Sequence, residues 1–301
     1  MTTASPRIGI VVTDVFAYLE SDPDMDTPIL VEALRERGVE ADAVIWHSDT
    51  WSASDYDLLV LRSPWDYPER PAEFHDWFTR VSAQTRVVNS LRTVEWNLDK
   101  QYLGELERAG VAVVPTQYCA SVDEVRAALE RYDRDAGVVV KPTVSAGARD
   151  TGLFHAGDSG AFELGERIVG RGGIAMIQPE IAELSEGREK ALYVIEGTFT
   201  HAIAKGALLE RGGGFLGGEY VENPVVVAAT DAEVSFAAEV LRTVQSVTGE
   251  ALPLYARVDT VESAEFGLVV LEVELVEPAL NLHVASHATT AVVDAILRAA
   301  A

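Results

Sequence analysis

The chain has 301 residues, of which 48% are hydrophobic and 24% charged, the balance of a globular protein. At about 150 residues per domain, that length makes two or three domains. Lys and Arg total 24 against 48 Asp and Glu, a net charge of −24 that argues against nucleic-acid wrapping and against docking on an anionic membrane.

Residues 7–12 (RIGIVV) read as a buried strand. Thr27 as N-cap and Pro28 at the first helical position predict a helix that runs to Gly38. Strands are expected over 41–46 and 58–61, and an amphipathic helix over 71–84. This order makes an open α/β unit over residues 1–95. A helix over 94–108 opens the next unit, and Ser121 with Glu124 forms a capping box for a helix over 122–131. Strands follow at 137–141 and 175–178, separated by the small-residue loop 142–150. Residues 191–195 and 200–204 read as a hairpin around Glu196-Gly197. After a glycine-rich loop at 211–218, Thr230 and Glu233 cap a helix that runs to about Val247. Strands over 254–258 and 268–275 and a closing helix over 285–300 complete the chain.

Only four of the cations are lysines: Lys100, Lys141, Lys190 and Lys205. Scarcity makes each a candidate for a specific task. The single cysteine, Cys119, excludes an internal disulfide and fits a reducing compartment. With no apolar run of spanning length and no signal-like start, a cytoplasmic protein is expected.

Several motifs fail on context. Gly212, Gly214 and Gly217 spell G-x-G-x-x-G, but no helix follows to receive a pyrophosphate, so a loop is expected. His283 and His287 have the spacing of a zinc pair on a helix. No third ligand stands out, which favours a plain helix-face pair. Cys119 has no basic partner in sequence and reads as a small core residue.

Others survive. In Leu271-Glu272-Val273-Glu274-Leu275, alternation puts both glutamates on one strand face, about 7 Å apart. Such a pair repels unless a cation intervenes, and Mg²⁺ prefers oxygen ligands shared with phosphates. Arg257 and Asp259 likewise share a face, so antiparallel pairing of the two strands would gather three carboxylates and an arginine. The alternative is a solvated strand face. Lys141 ends an apolar strand beside a flexible loop, where Ser145, Ala146 and Gly147 could turn backbone N–H groups toward phosphate.

In order and spacing, Asn97–Lys100, Val139–Pro142, Gln178–Ile181, Glu186–Glu189, Arg257–Asp259 and Glu272–Glu274 resemble the ATP-grasp superfamily over nearly the whole chain. The resemblance implies an α/β (α+β) ATP-grasp fold. It would comprise an N-terminal open α/β domain (1–95), a central lid subdomain (96–185, with a linking helix 96–110) and a C-terminal catalytic subdomain (186–301). By resemblance, Lys100, Lys141, Ser145 and Gly147 would meet the ATP phosphates. Gln178, Pro179, Glu180 and Ile181 would form the adenine hinge, with Glu189 (less readily Glu186) on the ribose. Asp259, Glu272 and Glu274 would hold two Mg²⁺, although the family commonly has Asn where Glu274 stands. Arg257 and Lys205 would be catalytic.

The function so implied is ATP-dependent activation of a small-molecule carboxylate as an acyl phosphate, which a nitrogen nucleophile attacks. The loops 143–150 and 211–218 are lid candidates that keep water out. Arg62-Ser63-Pro64-Trp65-Asp66-Tyr67, with Lys205, resembles a small ATP-grasp subfamily that includes ring-closing ligases acting on O-ureido-D-serine in D-cycloserine biosynthesis. Arg62, Ser63, Asp66 and Arg149 are then substrate candidates, with a structural turn at 62–67 as the alternative. An intermolecular amino-acid ligase and a non-catalytic ATP-binding regulator remain the competing functions, and a homo-oligomer stays open.

Overall fold

The computed structural model describes residues 5–14, 23–216 and 223–301. Its first strand, β1 (Arg7–Val12), is flanked by parallel partners β2 (Glu40–Ile45) and β3 (Leu58–Ser63), and β4 (Arg86–Val88) extends the sheet in the order β2-β1-β3-β4. Helices α1 (Asp26–Glu36) and α2 (Pro71–Ser82) cover it. Both turn apolar stripes inward, including Leu30 and Leu34 from α1 and Phe74, Trp77 and Phe78 from α2. The predicted N-cap at Thr27 is replaced by an earlier start. Met25 is the cap position, and Asp24 Oδ1 accepts the amides of Asp26 and Thr27 at 3.0 Å.

The helix expected over 94–108 is two helices, α3 (Leu91–Asn97) and α4 (Tyr102–Arg108), with Lys100 in the break. The central sheet has the order β5-β8-β6-β7, made of β5 (Gln117–Cys119), β6 (Gly137–Pro142), β7 (Gly152–His155) and β8 (Ala175–Pro179). Helices α5 (Val122–Leu129) and α6 (Ser159–Gly170) pack on it around Val125, Val138, Leu164 and Ile177. Ser121 accepts the Glu124 amide as predicted, but Glu124 reaches back to the amide of Ala120 rather than that of Ser121.

After the short α7 (Ala182–Ser185) comes the predicted hairpin, β9 (Glu189–Ile195) and β10 (Thr198–Lys205). The third sheet adds β11 (Val225–Val227), β12 (Tyr255–Ser263) and β13 (Gly267–Glu274), in the order β11-β10-β9-β12-β13. Helix α8 (Asp231–Thr248) carries both halves of the Thr230–Glu233 capping box and ends at Gly249, whose φ of +71° suits glycine. The closing helix α9 (Thr289–Ala300) starts later than predicted. His283 and His287 therefore precede it, and the expected helix-face pair does not form. Among the described residues no group of three His, Cys, Asp or Glu side chains is arranged to hold a metal ion. Cys119 is buried core, its thiol pushed by burial to about 11. Gly217 and Gly218 of the glycine-rich loop lie outside the described residues. No described helix is long and apolar enough to cross a membrane.

Candidate active site

Strands β12 and β13 pair antiparallel, with Arg257 opposite Glu274 and Asp259 opposite Glu272. Opposed residues share a face, so all four side chains turn the same way. They line a cavity of about 270 Å³ together with Lys100, Lys141, Ser145, Gly147, Arg149, Gln178, Pro179, Glu180, Ile181, Glu189 and Lys205.

Lys100 reaches this face because the edge of β13 is held by the helix break. Asn97 bridges two backbone groups at the end of β13, donating to the Val273 carbonyl and accepting the amide of Leu275 just beyond it, both at 2.7 Å. The Tyr102 hydroxyl takes the Val273 amide at 2.8 Å. An edge strand's unpaired groups are thus satisfied by side chains. Between them, Lys100 is 7% exposed, and its Nζ lies 3.0 Å from Glu272 and 2.9 Å from the Ser145 carbonyl. Lys141 comes from the end of β6. Burial lowers its pKa, and Glu272 works against that shift.

On the opposite wall, Lys205 Nζ lies 3.1 Å from Asp259 and 3.4 Å from Glu189. Arg257 grips Asp259 with two nitrogens, Nε at 2.8 Å from Oδ1 and Nη2 at 2.7 Å from Oδ2, and Nη2 also bonds Glu274. Burial alone would raise the Asp259 carboxyl. Arg257 and Lys205 outweigh it and hold the group below its ordinary value. Glu274 moves the other way. Burial pushes it up to about 8, against the pull of Arg257 and with the help of Glu272 and Asp259. Lys190 is not at the cavity; it bonds Glu233 at 2.8 Å and braces the start of α8.

The oxygen-only donors at this face suit Mg²⁺. Surplus negative charge around Glu274 also calls for a cation. However, each carboxylate is turned onto a protein cation, and both Asp259 oxygens are engaged, so the expected three-ligand cluster is not assembled here. Glu272 and Glu274 are the members a metal reaches without breaking the Arg257–Asp259 fork.

Two loops close over the cavity. Arg149, in the loop after β6, pairs with Glu69 of the first unit, Nη1 to Oε1 at 2.5 Å. Arg211 Nη2 lies 2.6 Å from Glu180, and the Gly212 amide donates to Leu153 of β7. Glu180 crosses directly over Gly137, where a Cβ would come within 1.8 Å of its carboxylate, so only glycine fits there. The Gln178 side chain is tied to Thr116 at 2.8 Å.

Arg62, Ser63 and Asp66 do not line the cavity. Arg62 is 1% exposed and donates to the Pro278 carbonyl; Ser63 bonds Asp24; Asp66 accepts from Trp46 at 2.7 Å and from Arg70 at 3.3 Å. Their neighbours do line it, Trp65 and Tyr67 together with Glu277. The pattern at 62–67 is therefore a clamp on the segment after β13. Tyr255, Trp65, Arg62, Tyr193 and His201 reach in turn the carbonyls of Val276, Glu277, Pro278, Ala279 and Leu280. The Asp26 carboxylate takes the amides of Leu280, Asn281 and Leu282. No linear motif announces such a clamp, because its members are drawn from five separated stretches of chain.

The three-sheet fold and a cation-lined cleft with acidic residues on facing strands define an ATP-grasp carbon–nitrogen ligase. The family described as the N-terminal domain of D-cycloserine synthetase DcsG matches residues 8–89. Cycloserine biosynthesis protein DcsG of Streptomyces lavendulae is 34% identical over 268 residues, covering 86% of this chain and 88% of the relative. A crystal structure of D-cycloserine synthetase DcsG superposes with a TM-score of 0.88 at 31% identity, over 98% of this chain and 100% of that one. The ATP-grasp ligase PsnB, solved with its minimal precursor, shares the fold at a TM-score of 0.65 and 18% identity, over 99% of this chain and 100% of that one. The chain belongs to the D-cycloserine synthetase family of ATP-grasp ligases.

Proposed function

We propose that this enzyme uses ATP to activate the carboxylate of O-ureido-D-serine and closes the molecule to D-cycloserine. The observation that carries this reading is the convergence of Lys100, Lys141, Lys205 and Arg257 on one cavity in a chain with so few lysines. Four cations around one cavity exceed what a neutral ligand requires and suit a triphosphate and a carboxylate together.

A carboxylate has no leaving group better than oxide. Phosphoryl transfer from ATP supplies one, and the charge that moves between oxygens is met by Lys100 and Lys141 on the phosphates and by Arg257 and Lys205 at the acyl phosphate. Ser145 and Gly147 cover the phosphates, the 178–181 backbone reads the adenine edge, and Glu189 accepts from the ribose. Glu272 and Glu274, with Asp259 once its cations shift, would hold Mg²⁺, two ions in this reading; bound there, the metal screens phosphate charge. The aminooxy-side nitrogen then attacks the acyl carbon and closes a five-membered ring. With one water, the carbamoyl group leaves as CO₂ and ammonia. An internal nucleophile needs no second substrate site. We place the reaction in the cytoplasm, where ATP is available.

The test is a product assay with ATP, Mg²⁺ and O-ureido-D-serine and no added amine. ADP, phosphate and D-cycloserine are expected in equal amounts. Turnover only with an added amine points to an intermolecular ligase. ATP binding without turnover on any carboxylate points to a regulator, and either result overturns the proposal.

A further inference from the structure

Six acids line the cavity: Glu180, Glu189, Asp259, Glu272, Glu274 and Glu277. Five are within ion-pair distance of a lysine or arginine. Of these six, among the described residues, Glu277 alone has no such partner; the Tyr67 hydroxyl faces its carboxylate. Its backbone is held on both sides, since the Tyr255 hydroxyl holds the Val276 carbonyl at 2.9 Å and Arg62 holds that of Pro278, and Trp65 Nε1 holds its own carbonyl at 3.1 Å. A carboxylate in no direct ion pair, yet pinned at the wall of the cavity, retains its basicity toward a bound proton donor.

We propose that Glu277 is the proton acceptor for the attacking nitrogen in the ring-closing step. The proposal rests on the reaction given above and assigns a role that no residue yet fills there. A ureido nitrogen shares its lone pair with the neighbouring carbonyl, so it becomes nucleophilic only as its N–H proton leaves. In the step, the N–H pair forms the new bond to the acyl carbon and the proton passes to Glu277. The bond between that carbon and the phosphate oxygen breaks. The carboxylic acid so formed returns the proton to the departing phosphate, which leaves as hydrogen phosphate.

The groups that face Glu277 are Tyr67, Lys100, Glu272 and Arg257. Burial and Glu272 push its carboxyl up, Tyr67, Lys100 and Arg257 pull it down, and the balance is about 7, where a general base works best near neutral pH.

Glu277→Gln tests this with two readouts from one mixture. Hydroxylamine traps the acyl phosphate as a hydroxamate without needing an enzyme base, and ring closure is read as D-cycloserine. The expected result is hydroxamate formation within a few-fold of wild type, with ring closure about 10²–10⁴-fold slower. Ring closure near the wild-type rate overturns the proposal. So does an equal loss of hydroxamate and product, which would assign Glu277 to substrate binding instead. If wild type makes neither hydroxamate nor D-cycloserine from O-ureido-D-serine, the reaction proposed above has failed, and this role falls with it. If the Gln variant does not fold, Tyr67→Phe supplies the second measurement. Loss of the hydroxyl should move the acid limb of the ring-closure pH profile to higher pH, and an unmoved limb overturns the role.

Discussion

Asp26 and Leu280 are 254 positions apart, and Asp26 Oδ2 accepts the Leu280 amide at 2.5 Å. With Asn281 and Leu282 also bonded, one carboxylate organises three consecutive amides beneath the cavity. Asp26→Asn keeps the shape but turns an NH₂ group toward donors. Stability should fall by about 1–3 kcal/mol for each buried amide left unpaired. Urea unfolding and hydrogen exchange at 280–282 measure it, and unchanged protection there would contradict the clamp.

Arg62 separates a positioning role from substrate binding. Arg62→Met leaves the Pro278 carbonyl without its donor, which should cost about 1–3 kcal/mol and lower kcat. KM for the carboxylate should stay close to wild type. A many-fold rise in KM at unchanged stability would return Arg62 to the substrate.

Glu272→Gln should abolish turnover while the fold persists. The change removes a charge from the cavity and weakens the partner of Lys100, but Asn97 and Tyr102 still hold the β13 edge. Circular dichroism and ADP release check the two halves of this statement.

The Arg149–Glu69 pair is partly exposed, at 34% and 66%, so its loss should cost at most about 1 kcal/mol of stability. Its value lies in closing the loop. Arg149→Ala should admit water to the acyl phosphate and raise the ratio of ADP formed to product formed. A ratio still at one would show that the loop closes without this contact.

His201 gives the clamp a pH dependence. Burial holds its imidazole below the ordinary value, and the hydrogen bond to the Leu280 carbonyl opposes the shift. The folded state therefore keeps it neutral where the unfolded chain takes up a proton. Its contribution is complete above about pH 6.5 and is lost as the pH falls toward the folded-state value. Urea midpoints should drop on acidification, and the drop should be smaller in His201→Gln.

Much of the fold was legible because its elements announce themselves locally. The hairpin at Glu196-Gly197, the Thr230–Glu233 box and the alternation at Glu272–Glu274 each depend on neighbours a few residues apart. Their antiparallel partner, Arg257–Asp259, was legible for the same reason. The break at Lys100 was not, since apolar spacing continues through it and only the needs of the β13 edge interrupt the helix. Strands β4, β7 and β11 have at most four residues each and carry too little pattern to stand out. Arg62 was left between substrate and structure because a buried arginine that serves a distant carbonyl looks, in sequence, like one that serves a ligand. Glu277 escaped notice because its solitude among cations exists only in three dimensions.

Helix α9 packs Val292, Val293 and Ile296 into the same core as Ile8, Ile10, Leu30 and Leu34. The first sheet thus waits for a helix synthesised well after it before one of its faces is sealed. During translation that face stays open to chaperones, and the first unit cannot mature as an independent foldon. A lesion in α9 should therefore appear in the cell as loss of soluble protein rather than as a weakened enzyme.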